Sequence, residues 1–171
     1  MQPIWQPSSE RIAQSEITAF IQEVNRRWNK KIADYADLHR FSVEEAEQFW
    51  ITVWDYCGVI AEERGDVVVA NGDKMPGATW FPHARLNFAQ NLLRRRDDTV
   101  AIVALREDGN RRTLTFAELY ELVSRIAQAM TASGIRPGDR VAGYIPHIPE
   151  AVASMLAAAS NGAVWAGCGP G

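Results

Sequence analysis

Cysteine and histidine are scarce in this chain of 171 residues, and their spacing excludes the common metal and redox motifs. Cys57 and Cys168 lie in different segments and form no CxxC pair, so the sequence predicts neither a disulfide scaffold nor a zinc site. His39, His83 and His147 are far apart, and none follows another at the i+3 or i+4 spacing of a helical metal site. We therefore expect a reducing compartment, no bound metal, and structural or surface roles for the histidines.

An excess of positive charge is also absent, since 18 Lys and Arg against 21 Asp and Glu give a formal net charge of −3. Nucleic acids and anionic membranes attract positive surfaces, so we expect neither as a partner. The chain begins without the basic segment and continuous apolar run of a secretory signal, which favours the cytoplasm. The uncharged stretch 151–171 is rich in Ala, Gly and Ser and contains Asn161-Gly162, so we interpret it as buried rather than membrane-spanning.

What the sequence does contain is enough apolar surface for a core, with 47% hydrophobic residues, and a helical pattern from about Ser15 to Tyr56. One helical stripe consists of Ile17, Phe20, Ile21, Val24 and Trp28. The phrase Ser42-Val43-Glu44-Glu45 predicts the capping box of a second helix that ends near Gly58. Five of the six tryptophans lie in the first half, and we interpret them as core residues rather than as an aromatic ligand cage.

Residues 65–171 have α/β character. The pattern predicts a β-prone run at 67–69, a helix near 85–93, a hairpin of 100–105 with 112–115, and a capped helix that begins at Thr115 and ends before Gly134. A strand at 140–145, a helix at 149–160 and a strand at 163–166 follow, and a crossover of this length implies a parallel pair. The expected fold is α/β: an N-terminal helical region, then the beginning of a mixed or parallel sheet with helices that is left incomplete.

Chemically distinctive motifs are few. The segment Gly167-Cys168-Gly169-Pro170-Gly171 resembles a phosphate-binding turn, but it lacks the GxGxxG spacing and the lysine of a P-loop. Arg94-Arg95-Arg96 precedes Asp97-Asp98, so a solvated helix end near the C-terminal dipole is favoured over an anion site. No GxSxG motif is present, and the residues alone therefore identify no catalytic group.

Longer phrases of the sequence are more informative than these motifs, namely the segments 4–8, 39–45, 49–50, 53–57, 80–82 and 84–93. They resemble the amino-terminal region of acetoacetyl-CoA synthetases. The stretch Leu114-Thr115-Phe116-Ala117-Glu118-Leu119 resembles the first shared motif of AMP-forming acyl-CoA ligases, and 138–141, 148–151 and 162–165 continue that register. The resemblance covers essentially the whole chain. It implies that residues 1–64 form the helical N-terminal region of these synthetases. Residues 65–171 would then form the first, truncated part of the AMP-binding domain.

The resemblance also implies a reaction, in which the carboxylate of acetoacetate attacks ATP to form an acyl adenylate and coenzyme A then displaces AMP. ATP, Mg²⁺ and coenzyme A are the implied cofactors of the full enzyme, and we expect none of them to bind this chain tightly. The family's phosphate loop, hinge aspartate and catalytic lysine match no position here, so no catalytic residue is assigned. Only a contact with the adenine of coenzyme A is implied, at Gly169, Pro170 and Gly171.

The end of the chain departs from the family pattern, which is usually a Ser-rich Trp-x-x-Cys-x-Pro-Asp-Phe-Gly, because here the sequence is Trp165-Ala-Gly-Cys-Gly-Pro-Gly171. We therefore expect an amino-terminal portion of an acetoacetate–CoA ligase that is inactive alone. A non-catalytic module that docks on the remainder of the ligase is the alternative. A Rossmann-type nucleotide-binding protein is disfavoured, because the glycine spacing and the acidic ribose partner are missing.

Overall fold

The computed structural model describes residues 4–169, and the chain divides into two compact units. The first unit runs to Val59 and includes Glu63–Ala84, and the second comprises Ile60–Glu62 and the chain from Arg85 onward. The expected family boundary after residue 64 stays a prediction.

The first unit is mainly helical. Its elements are α1 (Ser9–Ala13), α2 (Glu16–Trp28), α3 (Tyr35–Glu44), α4 (Ala46–Tyr56), β1 (Val69–Ala70) and β2 (Thr79–Trp80), with β1 antiparallel to β2. The hydroxyl of Ser15 accepts from the backbone N–H of Thr18 and caps α2, which ends at Asn29 in the left-handed conformation. Phe20 and Val24 of α2 are buried and Ile21 and Trp28 are half-buried, as predicted for the apolar stripe, but Ile17 is 42% exposed and does not belong to it.

The capping box predicted at Ser42 is wrong, because Ser42 lies inside α3 and its hydroxyl donates to the carbonyl of His39 at 2.7 Å. The side chain of Asp34 caps α3 instead, by accepting from the N–H of Asp37. Glu45 separates α3 from α4, but its carboxylate binds Lys30 at 2.6 Å rather than a backbone N–H. Helix α3 therefore begins at the Asp34 cap, buries Leu38 and Phe41, and runs through Ser42, which is the reason that the sequence pattern misplaced the helix start.

The expectation that the tryptophans form the core is wrong for Trp5, Trp50 and Trp80, which are exposed by 67%, 39% and 44%. Trp50 and Trp80 pack on each other at the surface, with ring centroids 5.5 Å apart. Trp28 is half-buried, and its indole N–H donates to the hydroxyl of the fully buried Thr52 at 2.8 Å. Large rings can cover a small helical layer from outside while only part of each ring leaves water.

The second unit contains α5 (Phe88–Leu92), β3 (Val100–Leu105), β4 (Arg111–Thr115), α6 (Phe116–Ala132), β5 (Arg140–Tyr144), α7 (Pro149–Ser160) and β6 (Val164–Cys168). Strands β3 and β4 form the predicted hairpin, and β5 and β6 form the predicted parallel pair. Among residues 4–169 these pairs remain two separate two-stranded sheets. The capping box at the start of α6 is confirmed, since Thr115 and Glu118 each accept from the other's backbone N–H.

Helices α5, α6 and α7 enclose the core of the second unit. Its buried members are Ala89, Leu93, Leu119, Val123, Ala153, Leu156 and Ala157. The side-chain amide of Asn87 donates to the carbonyl of Ala159, and that of Asn161 donates to the carbonyl of Ala127. Asn91 exchanges two hydrogen bonds with the backbone of Ile60. The asparagines thus satisfy backbone groups between elements, which is a structural role.

The arginine run after α5 does not form the predicted helix end, because α5 ends at Leu92 and its last turn contains no basic residue. Arg95 stacks on the ring of Phe116, with its guanidinium carbon 4.7 Å from the centroid, and Arg96 stacks on Tyr120 at 3.8 Å. Arg95 also pairs with Asp97 at 2.9 Å. These guanidinium groups therefore attach the loop to α6 through cation–π contacts.

Candidate functional site

The parallel pair β5–β6 positions the candidate site at its carboxyl-terminal edge. Its register matches Arg140 with Val164 at one end and Tyr144 with Cys168 at the other. Beyond the strands, the N–H of Ile145 donates to the carbonyl of Cys168 at 3.0 Å, which keeps the two chains together as they leave the sheet. Ligands of open parallel sheets bind in the crevice outside this edge.

Gly169 is the one predicted coenzyme A contact that the structure places, because Pro170 and Gly171 lie outside the described residues. Gly169 is exposed, and a Cβ atom built on it would lie 3.8 Å from Nε2 of His147. That distance is an ordinary van der Waals contact, so a Cβ atom at this position would meet His147 without a clash. The structure therefore brings Gly169 and His147 together, although the sequence had suggested only a structural or surface role for the histidine.

The segment Gly167–Gly169 is not a phosphate-binding loop, because Gly167 lies within β6. A Cβ atom on Gly167 would lie 3.0 Å from Nε1 of Trp165, and one on Gly143, its partner in β5, would lie 2.5 Å from Cη2 of the same indole. The two glycines therefore make room for the ring of Trp165. Close packing, rather than phosphate binding, explains the glycines of these strands.

The opposite face of the β5–β6 pair is exposed. It carries Arg140, Ala142, Tyr144, Val164, Ala166 and Cys168, all of which are exposed and which alternate with the mostly half-buried residues of the other face. Tyr144 is 78% exposed and Val164 is 56% exposed. Within residues 4–169 this apolar sheet face has no covering layer, which is unusual for a parallel pair.

The start of α7 lies beside the same edge. Its N-cap Ile148 offers no side-chain acceptor, and Pro149 occupies the first turn. Glu150, in that turn, forms an ion pair with Arg112 of β4. This hydrogen bond from Arg112 is the largest cause that lowers the pKa of the Glu150 carboxyl below its ordinary value, while burial acts in the opposite direction.

The described part of the chain contains neither a group of metal ligands nor a membrane-spanning helix. Between Ile4 and Gly169 no three His, Cys, Asp or Glu side chains are grouped closely enough to hold a metal ion. None of the helices in this range is both long and apolar enough to cross a bilayer. Cys57 and Cys168 are both exposed.

Family models match most of the chain. Residues 35–92 match the model described as acetyl-coenzyme A synthetase N-terminus, and residues 88–171 match the model described as AMP-binding enzyme. The two matches meet at α5 and follow one another along the chain, in the order expected from the resemblance.

Individual relatives agree. The chain is 45% identical over 168 residues to the acetoacetyl-coenzyme A synthetase of Rhizobium meliloti and 38% identical over 174 residues to a malonamoyl-CoA synthetase of Penicillium aethiopicum. Each match covers 98% of this chain but 26% and 24%, respectively, of the relative. The chain therefore spans about a quarter of the length of the curated relatives it matches.

A solved structure extends the agreement to the fold. The acetoacetyl-CoA synthetase from Streptomyces lividans matches 99% of this chain with a TM-score of 0.90 and 41% identity, over 27% of its own length. The expected fold class, the first part of an adenylate-forming ligase, is confirmed by this match. Over its whole length, the chain is a homologue of the N-terminal part of the acetoacetyl-CoA synthetases, which are AMP-forming acyl-CoA ligases.

Proposed function

We propose that this chain is the amino-terminal portion of an ATP-dependent acetoacetate–CoA ligase. The whole enzyme converts acetoacetate, ATP and coenzyme A into acetoacetyl-CoA, AMP and diphosphate. The observation that carries the proposal is the 45% identity to an acetoacetyl-coenzyme A synthetase over 98% of the chain. In the first step a carboxylate oxygen attacks the α-phosphorus of ATP and diphosphate leaves. In the second the thiol sulfur attacks the acyl carbon, AMP leaves, and the thiol proton is released.

Of the implied cofactors, coenzyme A fits the residues at hand. Gly169 is exposed at the carboxyl edge of the parallel pair, and the absence of a side chain lets a flat ring approach the backbone there. We propose that Gly169, with Pro170 and Gly171, contacts the adenine of coenzyme A, whose thiol supplies the acyl acceptor. His147, whose Nε2 lies 3.8 Å from where a Cβ atom on Gly169 would be, would form the side of that contact.

ATP and Mg²⁺ do not fit the described residues. No group of metal-ligating side chains lies within residues 4–169, and no position of the sequence matches the family's phosphate loop or catalytic lysine. We therefore propose that adenylate formation is performed by the remaining three-quarters of the ligase, and that this chain alone is inactive. The exposed sheet face of β5–β6 supports this proposal, because an adenylation domain would cover it.

We also propose that the residues that select the acid substrate lie in the remaining three-quarters of the ligase. One relative with 38% identity over the same region is a malonamoyl-CoA synthetase, whereas others are acetoacetyl-CoA synthetases. The region shared by ligases for two different acids is poorly suited to distinguish them. We assign this chain a role in the shared framework and in coenzyme A binding.

A second candidate function is a docking module without catalytic steps of its own. The exposed apolar face that carries Tyr144 and Val164 favours it, because such a face binds a complementary surface. The partner is the remainder of the ligase, expressed as a separate chain, and the proposed compartment is the cytoplasm. Co-purification of the two chains with restored ligase activity would support this function, whereas failure to associate at micromolar concentration would contradict it.

A chimera tests the proposed function directly. The 168 matched residues of the Rhizobium meliloti enzyme are replaced by this chain, and acetoacetate-dependent formation of the thioester is measured. We expect turnover within about tenfold of the parent enzyme, because the fold of this region is shared. A chimera that is folded and binds ATP but produces no acetoacetyl-CoA would overturn the proposal.

A further inference from the structure

A groove of about 370 Å³ lies within the first unit, between helices α2, α3 and α4. Its apolar floor consists of Phe20, Leu38, Phe49 and Val53, which are buried or half-buried. Ile17 of α2 also lines it and is 42% exposed, although isoleucine is among the residue types most often buried in proteins. The exposed Ile17 thus belongs to the wall of a groove rather than to the core.

Aromatic rings form much of this wall. Phe20 packs edge to face on Tyr56, with ring centroids 5.2 Å apart, and on Phe49 at 5.7 Å. Tyr35 of α3 lines the groove as well and is 67% exposed. Sites for small organic ligands have volumes of about 300–1,000 Å³ and are mainly apolar and aromatic with a few polar groups. The groove matches this description in both volume and composition.

The charged group of the groove is a carboxylate. Glu16, in the first turn of α2, lines the groove and accepts a hydrogen bond from the hydroxyl of Tyr56 at 3.0 Å. The described residues that line the groove include no lysine or arginine. Glu16 also forms no ion pair with any residue between Ile4 and Gly169. A carboxylate without a cationic partner therefore lies beside an apolar, aromatic surface.

We infer that this groove binds a small organic cation with an apolar or aromatic body, such as a hydrophobic amine. The body of the ligand packs on the floor of the groove, and its ammonium group pairs with Glu16. The aromatic wall adds to the attraction, because the faces of aromatic rings carry negative potential that attracts cations. The carboxylate repels anions, which include acetoacetate, ATP and coenzyme A. Every residue of the groove belongs to the first unit, so the inference does not rest on the proposed function.

NMR titration of the isotope-labelled 171-residue chain with tryptamine tests the inference. Tryptophol and indoleacetate are the matched neutral and anionic probes, because they carry the same ring on a chain of similar length. We expect tryptamine to shift the resonances of the groove residues with a sub-millimolar Kd. Tryptophol should bind about fivefold more weakly, the effect of one exposed charge pair, and indoleacetate more weakly still.

Substitution of the carboxylate tests the role of its charge. Glu16→Gln should raise Kd for tryptamine by about fivefold and leave Kd for tryptophol within about twofold of its original value. Glu47→Gln is the matched control, since Glu47 also lies in the first turn of a helix, is exposed and does not line the groove.

The apolar wall is tested separately. Ile17→Ser should weaken the binding of tryptamine and of tryptophol alike, by about fivefold, because it removes apolar surface that both probes cover. Ile12→Ser is the control, since Ile12 is 50% exposed on α1 and does not line the groove. Circular dichroism of each variant separates loss of the site from loss of the fold.

Three results would overturn the inference. The first is the absence of shifts at the groove residues with millimolar tryptamine, and the second is equal affinity for the three probes or equal weakening by Glu16→Gln and Glu47→Gln. The third is a dimeric chain that Ile17→Ser makes monomeric in sedimentation analysis, because the groove would then hold a second copy of the chain. The chimera assay reports only on thioester formation, so its outcome is independent of these measurements.

Discussion

The indole of Trp165 in β6 lies against the backbone of Gly143 in β5, so closely that a Cβ atom at position 143 would be 2.5 Å from Cη2 of the ring. Gly143 pairs with Gly167, which makes similar room on the neighbouring strand. The ring thus covers one face of the parallel pair, while the face of Tyr144 and Val164 stays exposed. This packing fixes the strands whose ends carry Gly169.

Replacing Gly143 with alanine should therefore destabilise the chain. The added methyl group must displace a large ring held in a packed position, and overpacking of this kind costs about 1–3 kcal/mol. Urea denaturation followed by fluorescence measures the change in unfolding free energy.

Gly169→Ala is the matched control for this variant, because a Cβ atom there meets only an ordinary contact at 3.8 Å. We expect it to change stability by less than about 0.5 kcal/mol. The account of the Trp165 packing is contradicted if both glycine variants unfold at the same urea concentration as the unaltered chain.

The hydrogen bond from Trp28 to Thr52 supplies a second prediction. Thr52→Val keeps the shape of the fully buried side chain but leaves the indole N–H without its acceptor, which costs about 1–3 kcal/mol. Thermal unfolding checks the loss. Thr113→Val on the exposed face of β4 is the control and should change Tm little. A control variant that loses as much stability as Thr52→Val would show that the hydrogen bond contributes nothing specific.

The ion pair of Arg112 with Glu150 predicts a pH effect. The pKa of Glu150 is lower in the folded chain than in the unfolded chain, where it is about 4.3. The Glu150 carboxylate therefore stabilises the fold at pH values above about 4.3, and this stabilisation is lost as the pH falls through the pKa of the folded chain. Arg112→Gln should return the pKa of Glu150 toward about 4.3, as measured by carboxyl NMR titration. An unchanged Glu150 titration in this variant would contradict the assignment, and Arg125→Gln should leave it unchanged.

Much of the second unit could be predicted from the sequence, because its signals are local. The Thr115 capping box, the Asp108-Gly109 hairpin and Pro149 at a helix start each act within a few residues. The prediction failed at Ser42, where the Lys30–Glu45 ion pair joins residues that are distant in sequence. Pairings of this kind leave no periodic signal in the chain.

The candidate site likewise contains features that local sequence signals predict and features that they do not. The parallel pair follows from the pattern and the choice of Gly169 from the resemblance, but the proximity of His147 depends on how two loops leave the sheet. Only the folded chain brings these residues together.

Replacing Gly169 with a larger residue in the chimera tests the proposed contact with coenzyme A. Gly169→Leu should raise KM for coenzyme A by about tenfold or more while acetoacetate-dependent exchange of pyrophosphate into ATP continues, because only the second step needs the thiol. Thr113→Leu is the control for added bulk at an exposed site. Equal effects on exchange and on thioester formation would contradict the contact.

The most direct test of the central claim is the release of pyrophosphate by the purified 171-residue chain supplied with acetoacetate, ATP, Mg²⁺ and coenzyme A. We predict release no faster than the protein-free background, together with acetoacetate-dependent release by the chimera under the same conditions. Turnover by the 171-residue chain alone, abolished when acetoacetate is omitted, would contradict the claim that adenylate formation belongs to the remainder of the ligase.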